Sequence, residues 1–223
     1  MGIIYLGGGG SEHEEANLWQ EAFEPGQRIV VWPLAHRRVR DRQAAGRWMT
    51  LALAARGCCR VEVWTTGDSH RPKDLAGVDV IAIPGGNTFD LLHTLTDNDW
   101  FIPLAEFVAG GGSVYGGSAG AIVLGTDIAI ASTADANDAG VKDTTGLDLL
   151  MGSVVLPHFD IIQERFAQQW AQDTGAPVLC LPEKSGLVVS GGHARNVGPE
   201  TVHVFRHDGQ NSYPTGCQWV LTD

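Results

Sequence analysis

The chain has 223 residues, with 15 Lys and Arg against 26 Asp and Glu, a formal charge of −11 at neutral pH. That acid surplus argues against a protein whose affinity comes from neutralising phosphates, and against attraction to an anionic membrane surface. With 43% hydrophobic and 18% charged residues, the composition is too apolar for a disordered chain and suffices for one domain with its own core.

Apolar runs rich in Val and Ile occupy Gly2 to Leu6, Arg28 to Pro33, Val61 to Trp64, Val78 to Ile83 and Gly112 to Tyr115. Continuous apolar runs of this length read as parallel strands buried on both faces. The amphipathic stretches between them, Glu12 to Phe23, Asp41 to Arg56, Thr88 to Leu95 and Trp100 to Ala109, read as crossover helices. Further on, strands are expected at Gly152 to Leu156, Val178 to Leu181, Gly186 to Val189 and Val202 to Phe205, with a helix from Ile161 to Trp170. Short connections make the C-terminal strands antiparallel. No stretch has the composition of a linker, so residues 1–223 are read as one α/β unit. No apolar run approaches the roughly 20 residues a membrane helix needs. The start, MGIIYLGGGGSEHEE, lacks the pattern of a secretory signal, and a cytoplasmic address is expected. Cys58, Cys59, Cys180 and Cys217 show no metal-ligand spacing.

In an open parallel sheet, ligands sit beyond the carboxyl ends of the strands. The loops after Leu6, Ile83 and Tyr115 fall there, and all three are rich in glycine. The third, Tyr115-Gly-Gly-Ser118-Ala-Gly120, contains G-x-S-x-G, a strand-to-helix turn on which small residues flank an exposed hydroxyl. Ser118 is the candidate nucleophile, and the helix start beyond it favours the anion formed when a carbonyl is attacked. The alternative is a Gly-Ser-Ala turn that only caps a helix.

A serine hydroxyl needs a base within hydrogen-bond reach. Of eight histidines, His158 alone follows a strand end and precedes a helix, in Val154-Val-Leu-Pro-His158-Phe-Asp. The base needs an acid to fix its tautomer. Asp127 or Asp135 would give the order Ser, Asp, His, whereas Glu183, after the strand Val178 to Leu181, gives Ser, His, Glu. Glu183 is preferred, because Asp135 lies in a polar loop that reads as mobile. The oxyanion hole would combine the amide of Ala119 with that of Gly86 in Ile83-Pro-Gly-Gly86-Asn87-Thr88, where Asn87 or Thr88 caps the next helix. The alternative for that segment is a plain turn. Gly7-Gly-Gly-Gly10-Ser lacks the third glycine of a dinucleotide fingerprint and is followed by Glu12, Glu14 and Glu15, which repel a pyrophosphate. It is read as a substrate-side or flexible loop.

Together, Pro84-Gly-Gly-Asn-Thr-Phe, Gly116-Gly-Ser-Ala-Gly-Ala, Pro157-His-Phe and Leu181-Pro-Glu resemble the peptidase E (α-aspartyl dipeptidase) family of serine peptidases over most of the chain. The resemblance implies a three-layer α/β sandwich with a mostly parallel central sheet, the flavodoxin-like architecture of class I glutamine amidotransferases, with serine where those enzymes carry cysteine. It places the nucleophile on Ser118, the base on His158, the acid on Glu183 and the oxyanion donors on Gly86 and Ala119. It also implies cleavage of short peptides beginning with aspartate, which calls for a cation after the histidine. Phe159 to Trp170 contains one, Arg165, so Asn87 and Arg165 are the substrate-binding candidates. No cofactor or metal is implied. The expected partner is a short peptide, with neither nucleic acid nor membrane, and a homodimer is an open assembly. A cyanophycinase-like hydrolase, whose cationic substrate suits an acidic surface, and a non-catalytic binding module on the same fold are the competing readings.

Overall fold

Alternation along the first strands decides the architecture, because successive side chains of a strand point to opposite faces. In the computed structural model, which describes residues 1–222, Ile4 and Leu6 of β1 (Ile4–Gly7) enter one buried cluster and Tyr5 enters another. The same division holds for β2 (Arg28–Val31), where Val30 faces one side and Ile29 and Val31 the other, and for β4 (Val80–Ile83), where Ile81 and Ile83 oppose Val80 and Ala82. A sheet apolar on both faces must be covered on both.

One face is covered by α1 (Ala16–Ala22) and α2 (Val39–Ala55), whose Trp19, Met49 and Leu53 pack against Tyr5, Ile29 and Val31. On the other face lie α3 (Thr88–Asp97), α4 (Phe101–Ala109) and α5 (Ala119–Val123). With β3 (Arg60–Val63) and β5 (Ser113–Gly117), the parallel part of the central sheet runs β1-β5-β4-β2-β3. It is extended beyond β1 by the antiparallel strands β8 (Gly186–Ser190), β9 (His193–Asn196) and β12 (Gln218–Val220), giving eight strands. The three-layer α/β sandwich with a mostly parallel central sheet is thus the observed fold.

The later strands depart from the expected single sheet. β6 (Val154–Pro157), β7 (Val178–Leu181), β10 (Val202–Arg206) and β11 (Gly209–Tyr213) form a separate four-stranded sheet in the order β11-β10-β7-β6. In it β6 and β7 are parallel, with Pro157 opposite Leu181, and their two crossover-linked ends emerge side by side. Val154, Val155, Val178, Leu179, Val202 and Val204 belong to the same buried cluster as Ile4 and Leu6, so this small sheet packs on the α3 to α5 side. Its helix, α6 (Glu164–Thr174), begins after a 3₁₀ turn at Ile161–Gln163 that Asp160 caps, three residues later than expected. Similarly, α1 starts at Ala16 rather than Glu12, because Ser11 and Glu14 bond to each other in a preceding turn. The strands β9, β11 and β12 were not read from sequence; β11 is largely exposed Gly-Gln-Asn-Ser, with no apolar signal. No helix among the described residues is long and apolar enough to cross a membrane.

Candidate active site

Ser118 occupies the single residue between β5 and α5, with φ +50° and ψ −113°. A non-glycine residue holds such a backbone only where its surroundings over-determine it. They do so here: a side chain on Gly116 would strike the backbone of Gly120, and Gly85 passes so close that a Cβ there would sit 3.2 Å from the Ser118 Cβ. The turn therefore lifts the hydroxyl out of the sheet edge, where the residue is half-buried.

His158 follows the last residue of β6, and it too has a positive φ, +52°. Its amide donates to the carbonyl of Gly8, 2.7 Å away, and the next amide, Phe159, donates to Leu181 at the end of β7. The imidazole is thereby turned back toward the central sheet. Its Nε2 lies 2.9 Å from Ser118 Oγ and its Nδ1 lies 3.0 Å from Glu183 Oε1. Glu183 stands two residues beyond β7, the parallel neighbour of β6. The base and its carboxylate thus come from adjacent strands of the small sheet, and the serine from the large one.

The pair is open to water, with side-chain exposures of 47% for His158 and 55% for Glu183. A contact this exposed contributes little to stability, and the backbone bonds of this segment help to place the ring between Ser118 and Glu183. The competing carboxylates are engaged elsewhere. Asp135 accepts the Thr88 amide at 2.8 Å and Asp127 caps a 3₁₀ turn by accepting the Ala129 amide. The loop of Asp135, read as mobile, is tied further by Asn87 Nδ2 to the Ala136 carbonyl and by Arg37 to Asp138.

Ala119 follows Ser118 as the first residue of α5, and Gly86 follows Gly85, the glycine packed against Ser118; among the described residues neither the Gly86 nor the Ala119 amide has a hydrogen-bond acceptor. The two substrate-binding candidates are placed differently from the triad. Both polar atoms of the Asn87 side chain are committed within the protein, Oδ1 to the Asp90 amide as the cap of α3 and Nδ2 to Ala136. Arg165 is exposed on α6 and lines a cavity of about 480 Å³ with Ile161, Ile162, Gln168 and Phe205, a lining that includes none of Ser118, His158 and Glu183.

The loop after β1, read as a substrate-side or flexible loop, is packed closely against the residues of the triad. Gly8 is pressed against the Pro182 carbonyl, Gly9 (φ +101°) lies directly beneath the His158 ring, and Gly10 lies against the Glu183 carbonyl. The Gly7 carbonyl is 3.4 Å from the Ser118 amide. A run of glycines after a strand signals close approach as readily as flexibility, and that was the available clue. Among the described residues, no group of three or more His, Cys, Asp or Glu is placed to hold a metal ion.

Comparison with known proteins gives one family model that matches, peptidase family S51, over residues 3–197. Curated relatives named peptidase E from Escherichia coli (strain K12 / DH10B) and from Shigella boydii serotype 18 are each 27% identical over 144 residues, 59% of this chain and 61% of theirs. The match thus spans less than two thirds of those relatives. Among solved structures, a peptidase from an acI-B1 actinobacterium superposes with a TM-score of 0.74 at 20% identity, covering 99% of this chain and 97% of the other. A peptidase E protein from Listeria monocytogenes EGD-e superposes with a TM-score of 0.71 at 21% identity, covering 90% and 100%. At those identities the superpositions speak for the fold.

Proposed function

This chain belongs to peptidase family S51, and we propose that it is a serine peptidase that hydrolyses short peptides through an acyl-enzyme on Ser118. The observation that carries this reading is the unbroken chain of contacts from Ser118 Oγ to His158 Nε2, 2.9 Å, and from His158 Nδ1 to Glu183, 3.0 Å.

In this mechanism Nε2 of His158 takes the hydroxyl proton as Oγ attacks the scissile carbonyl. Glu183 accepts a hydrogen bond from Nδ1–H without taking the proton, which fixes the tautomer and stabilises the imidazolium. Developing charge on the carbonyl oxygen is met by the amides of Gly86 and Ala119, both without internal partners. The leaving amine departs with the proton from Nε2, and a water activated by the same nitrogen then hydrolyses the ester. No cofactor enters these steps.

The resemblance to the peptidase E family makes peptides with N-terminal aspartate the first substrate class to test. Arg165 is the cation proposed to face that carboxylate. A formal charge of −11 favours a second reading, a cyanophycinase-like hydrolase of a polymer with an aspartate backbone and arginine branches. A dipeptide library varying the first residue, run beside that polymer, tests both. Release of free aspartate from Asp-Leu supports the dipeptidase, and release of β-Asp-Arg supports the alternative. Hydrolysis that persists in Ser118→Ala overturns the mechanism, and a wild-type protein that does not react with a fluorophosphonate indicates a non-catalytic module.

A further inference from the structure

Glu15 is a carboxylate with 1% exposure, in a turn between β1 and α1. Charged residues are rarely buried to that degree without several partners, and Glu15 has four. Oε1 accepts the amides of Gly9 at 2.8 Å and Gly10 at 3.1 Å; Oε2 accepts Tyr115 OH at 2.7 Å and Trp19 Nε1 at 3.3 Å. Burial raises the Glu15 pKa above its ordinary value, and the four bonds, all donated to the carboxylate, work against that rise by favouring the ionised form.

We propose that Glu15 is a positioning residue for the catalytic base: it fastens the Gly7 to Gly10 loop as a rigid floor beneath the His158 imidazole, so that Nε2 faces Ser118. The inference rests on the Ser-His-Glu reading above. Two sets of contacts carry it. The residues whose amides Glu15 grips include Gly9, where an added Cβ would overlap Cε1, Nε2 and Nδ1 of His158, so the loop meets the ring face over its reacting edge. The flanking glycines touch the rest of the constellation, Gly8 through the His158 amide and Gly10 through the Glu183 carbonyl. On its other side, Glu15 is braced by Tyr115 on β5, three residues before Ser118, and by Trp19 on α1, a ring that packs against Tyr115 at 5.6 Å. One carboxylate thereby ties the strand that delivers the nucleophile to the loop that supports the base.

Glutamine is a poor replacement. An amide presents one oxygen and one NH2: turned to the loop, the NH2 would face the Gly9 and Gly10 amides; turned to Tyr115, it would force that hydroxyl, which also accepts Trp19 Nε1 at 3.1 Å, from donor to acceptor. The loop is released in the first case and the charge-assisted bond to Tyr115 is lost in the second. A shift of about 1 Å in a catalytic group can lower the rate by about 100-fold.

The test compares Glu15→Gln and Tyr115→Phe, which removes one brace, with Leu53→Ala, a destabilising control in the cluster that contains Trp19. Fluorophosphonate labelling of Ser118 is timed at 25 °C, well below each melting temperature, and the downfield proton of the His158 to Glu183 hydrogen bond is observed by NMR. We expect labelling to slow about 10- to 100-fold in Glu15→Gln and severalfold in Tyr115→Phe, with the downfield resonance broadened in both, while Leu53→Ala labels at the wild-type rate. If Glu15→Gln does not fold, Tyr115→Phe decides alone. Wild-type labelling rates in the folded Glu15 and Tyr115 variants would overturn this inference and leave the triad standing. A wild-type protein that does not label overturns both.

Discussion

Ser118 and His158 meet across 2.9 Å with both backbones in the left-handed region, at φ +50° and +52°. Each such conformation costs an L-residue roughly 1–3 kcal/mol, so the contact is held against local preference by what surrounds it. Asp99, Asp148 and Met151 also have positive φ, but Ser118 and His158 are the two of these residues whose side chains touch, as in a site built for geometry rather than stability.

That strain makes activity and stability separable at position 118. Ser118→Ala should lower turnover by roughly 10⁴- to 10⁶-fold with little change in melting temperature. Ser118→Gly should lose as much activity yet be more stable than Ser118→Ala by about 1 kcal/mol or more, since glycine adopts positive φ without penalty. Steady-state rates and thermal melts of both variants check the two halves together.

The choice of acid is tested by two amide substitutions. Glu183→Gln leaves the imidazole in place but no longer selects its tautomer, so kcat should fall by about 10⁴-fold. Asp135→Asn weakens an acceptor of the Thr88 amide and should cost about 1 kcal/mol of stability while leaving the pH-rate profile unchanged. The reverse pattern would move the acid to Asp135.

Asn87 caps α3 and also holds the Ala136 carbonyl, immediately after Gly86. Asn87→Ala should destabilise by about 1 kcal/mol, and because it loosens the segment carrying an oxyanion donor, kcat should drop more than KM rises. A change confined to KM would instead make Asn87 a substrate contact.

Alkaline stability should depend on Cys180 and Tyr115. Burial pushes the Cys180 thiol and the Tyr115 hydroxyl well above their ordinary values, and the Glu15 charge raises Tyr115 further. A group whose folded pKa is raised contributes stability that is complete below its unfolded pKa and is lost as pH rises toward the folded one. The decline should therefore begin near pH ~8.5 for the thiol and ~10 for the phenol. Melting temperatures from pH 7 to 10.5 should show a flatter decline between those values in Cys180→Ala than in wild type; identical slopes would refute the assignment.

How far the sequence could be read follows from which signals are local. The inner parallel strands were legible because each is a short run apolar on both faces, and Ser118 and His158 were legible because each follows such a run. Glu183 could be preferred over Asp135 on placement alone. What could not be read was the departure of β6, β7, β10 and β11 into their own sheet, since strand pairing is decided by long-range packing that leaves no local mark. Nor could sequence show that Gly9 lies under an imidazole 149 positions later in the chain, or that both ends of the Asn87 side chain are occupied. Glycine and asparagine report what a backbone permits, and only the folded neighbours say which permission is used.

The division of the site between two sheets has a mechanical corollary. His158 and Glu183 leave adjacent parallel strands and ride together, so a small slip of one sheet over the other spares their bond and lengthens the gap to Ser118, along with the contacts to the Gly8 to Gly10 loop. Hydrolysis should therefore fail at denaturant concentrations too low to melt either sheet, with the imidazole still tethered to its carboxylate: the molecule would lose its trade before it loses its shape.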